Sequence, residues 1–155
     1  MSNSIGLDAQ KSQQVVAALN TLLSSYQIQY MNARSFHWNI KGREFFELHV
    51  KFEEIYNQLL LKVDELAERI LTIEGTPLHA FSDYLAISEI QEAKGVQNGP
   101  EAVSILLEGF TQLIKRQRGI LTQASDANDE GTASLMSDYI TEQEKLVWML
   151  KAYLG

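Results

Sequence analysis

Residues 44–73, EFFELHVKFEEIYNQLLLKVDELAERILTI, read as one long helix. Phe45, Leu48, Phe52, Ile55, Leu59, Val63, Leu66, Ile70 and Ile73 recur at steps of three and four, a single apolar stripe. Gly42 before the run and Gly75-Thr76-Pro77 after it are the natural breaks. On the N-terminal side, Val16, Leu19, Leu23, Tyr26, Tyr30, Ala33 and His37 mark a helix from about Asp8 to about Trp38. On the C-terminal side, the connector from Gly75 to Pro100 is too long for a tight turn. It has room for a short helix with Ser82 as its N-cap and Tyr84, Leu85 and Ile87 as its apolar content. Gly99-Pro100 opens a third long helix, with proline at the first helical position, where its missing N–H costs nothing. Its stripe is Val103, Leu106, Phe110, Leu113, Ile114 and Leu121. A polar break at 126–131 precedes a fourth, from about Thr132 to Leu154, carrying Leu135, Tyr139, Leu146, Met149, Leu150 and Tyr153. Nothing alternates with period two. The pattern is that of an all-α four-helix bundle, with one crossover between helices two and three and a short extra helix within it.

Length and composition agree. The 155 residues, 45% apolar and 21% charged, suit one domain over 1–155, with 1–7 a short lead free to flex. No apolar run approaches the ~20 residues of a membrane span. The opening residues lack the basic-then-apolar layout of a secretion signal, so a cytoplasmic location is expected. The absence of cysteine excludes disulfides and thiolate sites, so any metal must be held by His, Asp and Glu. Thirteen basic against 20 acidic residues leave a net charge of −7, which argues against a generic phosphate-binding surface.

On a helical wheel, Glu47, Lys51, Glu54, Glu65 and Arg69 of the second helix lie opposite its stripe and read as solvated. Between the two lies a third face of His49, Glu53, Leu60, Asp64, Ala67 and Leu71, with Glu68 at its edge. A face mixing apolar residues with a histidine and carboxylates suits packing against another subunit. His49 and Glu53 are four apart, as are Asp64 and Glu68, so each pair shares a face. From His49 to Asp64, however, is 15 residues, or roughly 22 Å of helix rise. One ion with bonds of about 2 Å cannot touch both ends.

His37 can fold back beside His49 across the Gly42 turn, so one chain offers a histidine half-site and a carboxylate half-site. Two copies of the helix packed antiparallel about a two-fold axis near Tyr56-Asn57 would set His49 of one against Asp64 of the other, completing two sites per dimer. The usual intra-bundle alternative, a Glu-x-x-His motif, is absent: Arg34, Phe46 and Thr76 stand three before His37, His49 and His79. His79 reads as an ordinary loop histidine. Arg69 and Arg34 are candidates for ion pairs between subunits.

These residues carry a resemblance. The run His37-Trp38-Asn39-Ile40-Lys41-Gly42, then Phe46, Leu48-His49 and Asp64-Glu65-Leu66-Ala67-Glu68-Arg69, resembles the signature of the Dps family, the mini-ferritins (DNA-binding proteins from starved cells). The stretch from Glu144 to Ala152 is similar to that family's last helix. The resemblance implies a ferritin-like bundle assembling, through two-fold dimers, into a hollow dodecamer. Such a shell oxidises ferrous iron with hydrogen peroxide, or with oxygen, and stores the ferric product as mineral. It implies His37 and His49 from one subunit and Asp64 and Glu68 from its dyad mate as catalytic iron ligands. Glu53 stands where the family commonly has Asp, with a side chain long enough to reach a second iron, directly or through water. The resemblance also implies an oxidisable aromatic at Trp38 and, near the start of the last helix, acidic pore residues for which Asp126, Asp129 and Glu130 are the local candidates. Imidazole with carboxylate is independently a good ferrous set that leaves positions open for peroxide.

The alternative reading is a non-enzymatic, DNA-binding shell that shields the nucleoid. Family members that bind DNA usually carry a Lys/Arg-rich tail. Here Lys11 is the one basic residue among the first 14, so weak, salt-sensitive DNA binding at best is expected.

Overall fold

Asp8 starts the first helix, its carboxylate accepting from the Lys11 backbone N–H at 2.8 Å. The computed structural model describes all residues from Met1 to Gly155 and contains five helices: α1 (Ala9–Asn39), α2 (Phe45–Thr72), α3 (Phe81–Ile87), α4 (Gly99–Asp126) and α5 (Glu130–Leu154). None is long and apolar enough to cross a membrane. The four long helices form the bundle and α3 lies within the crossover, as the hydrophobic periodicity predicts.

Gly42 makes the α1–α2 turn at φ +116°, a backbone conformation that side-chain-bearing residues rarely adopt. It returns α2 antiparallel to α1. The crossover then runs the length of the bundle, so that α4 begins where α2 begins: Gly99 packs on Leu48, and the Lys41 N–H donates to the Gln97 carbonyl at 2.9 Å. At the α4–α5 corner, Asn128 takes φ +55° and the Asp129 N–H reaches the Ala124 carbonyl, a Schellman-type ending. Asp129 then caps α5 by accepting from the Thr132 N–H.

Several boundaries differ from the sequence reading. Ser82 lies inside α3 rather than capping it; the cap position is Ala80, whose carbonyl accepts from the Asp83 and Tyr84 N–H groups. The polar break shrinks to 127–129, because Asp126 still belongs to α4 and Glu130 already belongs to α5. The largest difference is α1, read as carrying one stripe but buried on several sides. It packs against α2, α4 and α3, and encloses Val15, Leu22, Ser24, Ser25, Ile28, Gln29, Asn32 and Phe36 beyond that stripe. The buried polar residues have partners in the crossover. Ser25 Oγ accepts from the Glu89 N–H, while Asn32 donates to the Gln91 carbonyl and accepts from the Ala93 N–H. Half-buried Asn20 does the same with Thr76 and Leu78. Polar side chains on α1 therefore tie down a connector whose backbone lacks regular partners.

The bundle centre also holds a closed ring of hydrogen bonds. The Tyr26 hydroxyl donates to Gln117 Oε1 (2.5 Å), Gln117 Nε2 to Gln143 Oε1 (2.8 Å), and Gln143 Nε2 back to the Tyr26 oxygen (2.6 Å). All three residues are almost fully buried. Burial by the surrounding core pushes the Tyr26 hydroxyl well above the usual phenol range.

Arg116 of α4 fastens the crossover by donating Nε and Nη2 to the two carboxylate oxygens of Glu89, at 2.8 and 2.7 Å. These bonds hold the Glu89 carboxyl below its ordinary value of 4.5. A carboxyl depressed by folding contributes stability above its unfolded value and loses it as the pH falls through the folded one. Both side chains are more than a third exposed, so solvent screening keeps the contribution under about 1 kcal/mol. Glu89→Gln is expected to be slightly less stable than wild type at neutral pH. In urea melts across a pH series, that gap should close as the pH drops below 4.5.

Candidate metal centre

The α1–α2 turn lays the end of α1 beside the first turns of α2, and the two histidines lock onto each other there. His37 Nδ1 lies 2.7 Å from the His49 carbonyl oxygen, and His49 Nδ1 lies 2.7 Å from the His37 carbonyl oxygen. A carbonyl oxygen only accepts, so each Nδ1 carries the proton and donates it. With Nδ1 committed to a carbonyl, Nε2 is the nitrogen of each ring left for a metal to take. The rings stack at 3.8 Å between centroids and 12° between planes, and Phe45 stacks on His49 at 4.9 Å. His37 is buried and His49 half-buried.

The three candidate carboxylates all lie exposed on α2. Glu53 is exposed one turn beyond His49, and Asp64 and Glu68 are exposed towards the far end of α2. None of the three makes an ion pair within the chain. No three His, Asp or Glu side chains converge in one chain to hold a metal. The α2 face carrying these carboxylates also exposes Leu60 and Leu71, with Trp38 (56%) and Phe46 (77%) uncovered near the histidine end. An apolar strip of this kind along a helix is what a second polypeptide covers.

Other residues fall differently from the sequence reading. Arg69 is neither solvated nor left for another subunit. Its Nη2 donates to Asp129 at 2.7 Å and its Nε to Thr132 Oγ1 at 2.9 Å, and its guanidinium lies where a Cβ on Gly131 would sit. Asp129 is thereby committed inside the chain, 2% exposed, as an α5 cap and ion-pair partner. This removes it from the pore candidates; Asp126 and Glu130 remain exposed at the helix ends. Glu65 is exposed as expected, and also accepts from the Tyr139 hydroxyl at 2.8 Å. His79 is an exposed loop residue with Nδ1 3.0 Å from the Pro77 carbonyl. Arg34 sits among Tyr30, Trp38 and Tyr56, with its guanidinium carbon 5.2 Å from the Trp38 and Tyr56 rings.

Tyr56, which meets the His37 imidazole edge-on at 5.4 Å, was missed as a site residue. The signal was present in the spacing: Tyr56 follows His49, and Tyr30 precedes His37, by two helical turns.

Five helices without a sheet and a long bundle crossover define a ferritin-like fold, and a ferritin-like domain model matches residues 16–155. The crystal structure of a Dps protein from Vibrio cholerae O1, described as a member of a superfamily of ferritin-like diiron-carboxylate proteins, is 56% identical and superposes with a TM-score of 0.98, covering 99% of this chain and 97% of that one. A Dps structure from Bacillus brevis matches at 36% identity and a TM-score of 0.92, covering 94% and 98%. A DNA protection during starvation protein from Porphyromonas gingivalis is 41% identical over 96% of this chain and 93% of its own length. The chain belongs to the Dps family.

Proposed function

We propose that this chain is an iron-storing mini-ferritin with ferroxidase activity. In this reading, each site oxidises ferrous iron with hydrogen peroxide, or with oxygen, and lies between His37 and His49 of one subunit and Asp64 and Glu68 of a dyad-related copy. The observation that carries it is the reciprocal pairing of the two imidazoles, which leaves both Nε2 lone pairs directed away from their own backbone partners. Their stacking fixes the rings before any ion arrives, the preorganisation a metal site requires. The missing ligands must be anionic and must come from outside the histidine end of the chain. Asp64 and Glu68, without ion-pair partners and flanked by exposed leucines, supply that chemistry from a second copy.

Glu53, one turn from His49, is the proposed contributor to a second iron position, directly or through water. The chain has no cysteine to draw softer metals, and imidazole with carboxylate suits ferrous iron while leaving room for the oxidant. Two-fold dimers would assemble further into a closed cytoplasmic dodecamer that receives the ferric product, with Asp126 and Glu130 as candidate pore residues. The description of the Vibrio cholerae Dps protein as one of the ferritin-like diiron-carboxylate proteins supports the iron chemistry.

The test is anaerobic addition of Fe(II) followed by peroxide, with ferric absorbance recorded for wild type and for His37→Ala/His49→Ala. Losing residues that merely orient metal ligands typically costs about 10–100-fold, so loss of two ligands should cost at least that. Equal rates would overturn the reading. The Porphyromonas gingivalis relative's name points to DNA protection as a second reading. The net charge of −7 speaks against direct DNA contact. A gel-shift at low salt should show no retarded complex, and a magnesium-independent one would favour the DNA-binding shell.

A further inference from the structure

Gly42, at φ +116°, sets the start of α2 at Phe45, whose N–H donates to the Gly42 carbonyl at 3.2 Å. One full helical turn therefore precedes His49, and the two side chains share a face. The Phe45 ring lies 4.9 Å from the His49 ring and 20° from parallel to it. The His37 ring lies 3.8 Å from His49, at 12°. Phe45 and His37 make no ring contact with each other, so they cover opposite faces of His49. His37 is enclosed differently: one face rests on His49, and the Tyr56 ring meets it at 73° and 5.4 Å.

A hydrogen bond fixes a point, not a plane. The bond from His49 Nδ1 to the His37 carbonyl oxygen, 2.7 Å long, holds one corner of the imidazole and leaves the ring able to hinge about it. Nε2 sits across the ring from that corner and swings when the ring tilts. Metal binding tolerates little of this, since a ligand must stay within about 0.5 Å and 10–20° of its productive placement. Resting on the metal-centre reading above, we infer that Phe45 is a positioning residue for that centre. Its flat face stops His49 from tilting away from His37, and so keeps Nε2 where the turn has placed it.

The contribution is one of shape. Phe45 also packs against the hydrophobic core, but leucine or methionine could do that as well. Covering a planar imidazole without gaps needs another planar ring. The brace is complete within one chain, because Gly42, Phe45, His37 and Tyr56 are all its own.

The experiment measures Co(II) binding to the intact assembly by competition with a chelator, with no oxidant present. In parallel, nitrogen NMR spectra are recorded for the metal-free protein, isotope-labelled in its three histidines. Phe45→Leu and Phe45→Met keep an apolar side chain and lose the flat face. Each should bind Co(II) roughly three- to tenfold more weakly than wild type, the range that one aromatic pair supports. The His49 ring signals should broaden in both, while those of His79, an exposed loop residue, stay as they are. Phe45→Tyr restores the face and should recover both the affinity and the sharp signals. Wild-type affinity in either apolar variant, or a Phe45→Tyr affinity as weak as theirs, would overturn the inference alone. No Co(II) binding by wild type, or binding kept in full by His37→Ala/His49→Ala, would sink the metal-centre reading and this inference with it.

Discussion

Two inactive chains, mixed, are expected to make an active protein. A His37→Ala/His49→Ala chain lacks the imidazole half of the proposed site, and an Asp64→Asn/Glu68→Gln chain lacks the carboxylate half. Refolded separately, each should oxidise ferrous iron at no more than the background rate. When the two are refolded together in equal amounts, half the two-fold pairs are mixed. In a mixed pair, one pocket receives intact imidazoles from one chain and intact carboxylates from the other, while the second pocket lacks both. Recovery should therefore approach about a quarter of the wild-type sites. Ferric absorbance after addition of peroxide reads this directly. If every site were built within one chain, the mixture would stay as inactive as its components. Recovery from two dead parents has no explanation other than sites shared across a boundary.

Asp129→Ala should cause the largest loss of stability among the acidic residues near α5. Its carboxylate is 2% exposed, caps α5 through the Thr132 N–H, accepts from Thr132 Oγ1, and pairs with Arg69. Removing one member of a buried ion pair leaves the other uncompensated and typically costs about 3–5 kcal/mol. Arg69 keeps a fifth of its side chain in solvent, so the low end, about 3 kcal/mol, is expected after that discount. For a chain of this size that lowers the midpoint of thermal unfolding by roughly 6–12 °C. Asp126→Ala, at an exposed helix end, should stay within about 0.5 kcal/mol of wild type. Equal, small effects would mean that the Arg69–Asp129 pair does little for the fold.

The bundle was legible because its decisive signal is local. Apolar residues three and four apart specify α2 and α4 without reference to the rest of the chain. The short helix in the crossover could be located but not its start, because the Ala80 carbonyl does what Ser82 was expected to do. Residues whose partners lie far away in sequence were misread for a different reason. Arg69 sits opposite the apolar stripe of α2 and looks solvated, yet Asp129 reaches it from 60 residues away; Glu65 is exposed as expected, but its bond from Tyr139, 74 residues away, was equally out of view. Lys62, which the wheel left unassigned, is buried 2.9 Å from Glu142 for the same reason. A wheel drawn for one helix cannot include the polar side chains of another. His37 and His49 could be brought together from sequence because the turn between them is short. That each imidazole donates to the other's backbone could not, since it depends on the angle at which two helices meet. Tyr56 was passed over because an aromatic at helical spacing ordinarily reads as core.

The neutral ring at the bundle centre separates the scaffold from its cargo. Tyr26, Gln117 and Gln143 satisfy one another without a formal charge, and burial keeps the phenol protonated. A bundle welded at its middle by a metal would come apart under a chelator, because the ion's binding energy is part of its folding energy. Here a chelator finds nothing at the centre to withdraw. Under the proposed function, taking up and releasing iron need not loosen the bundle.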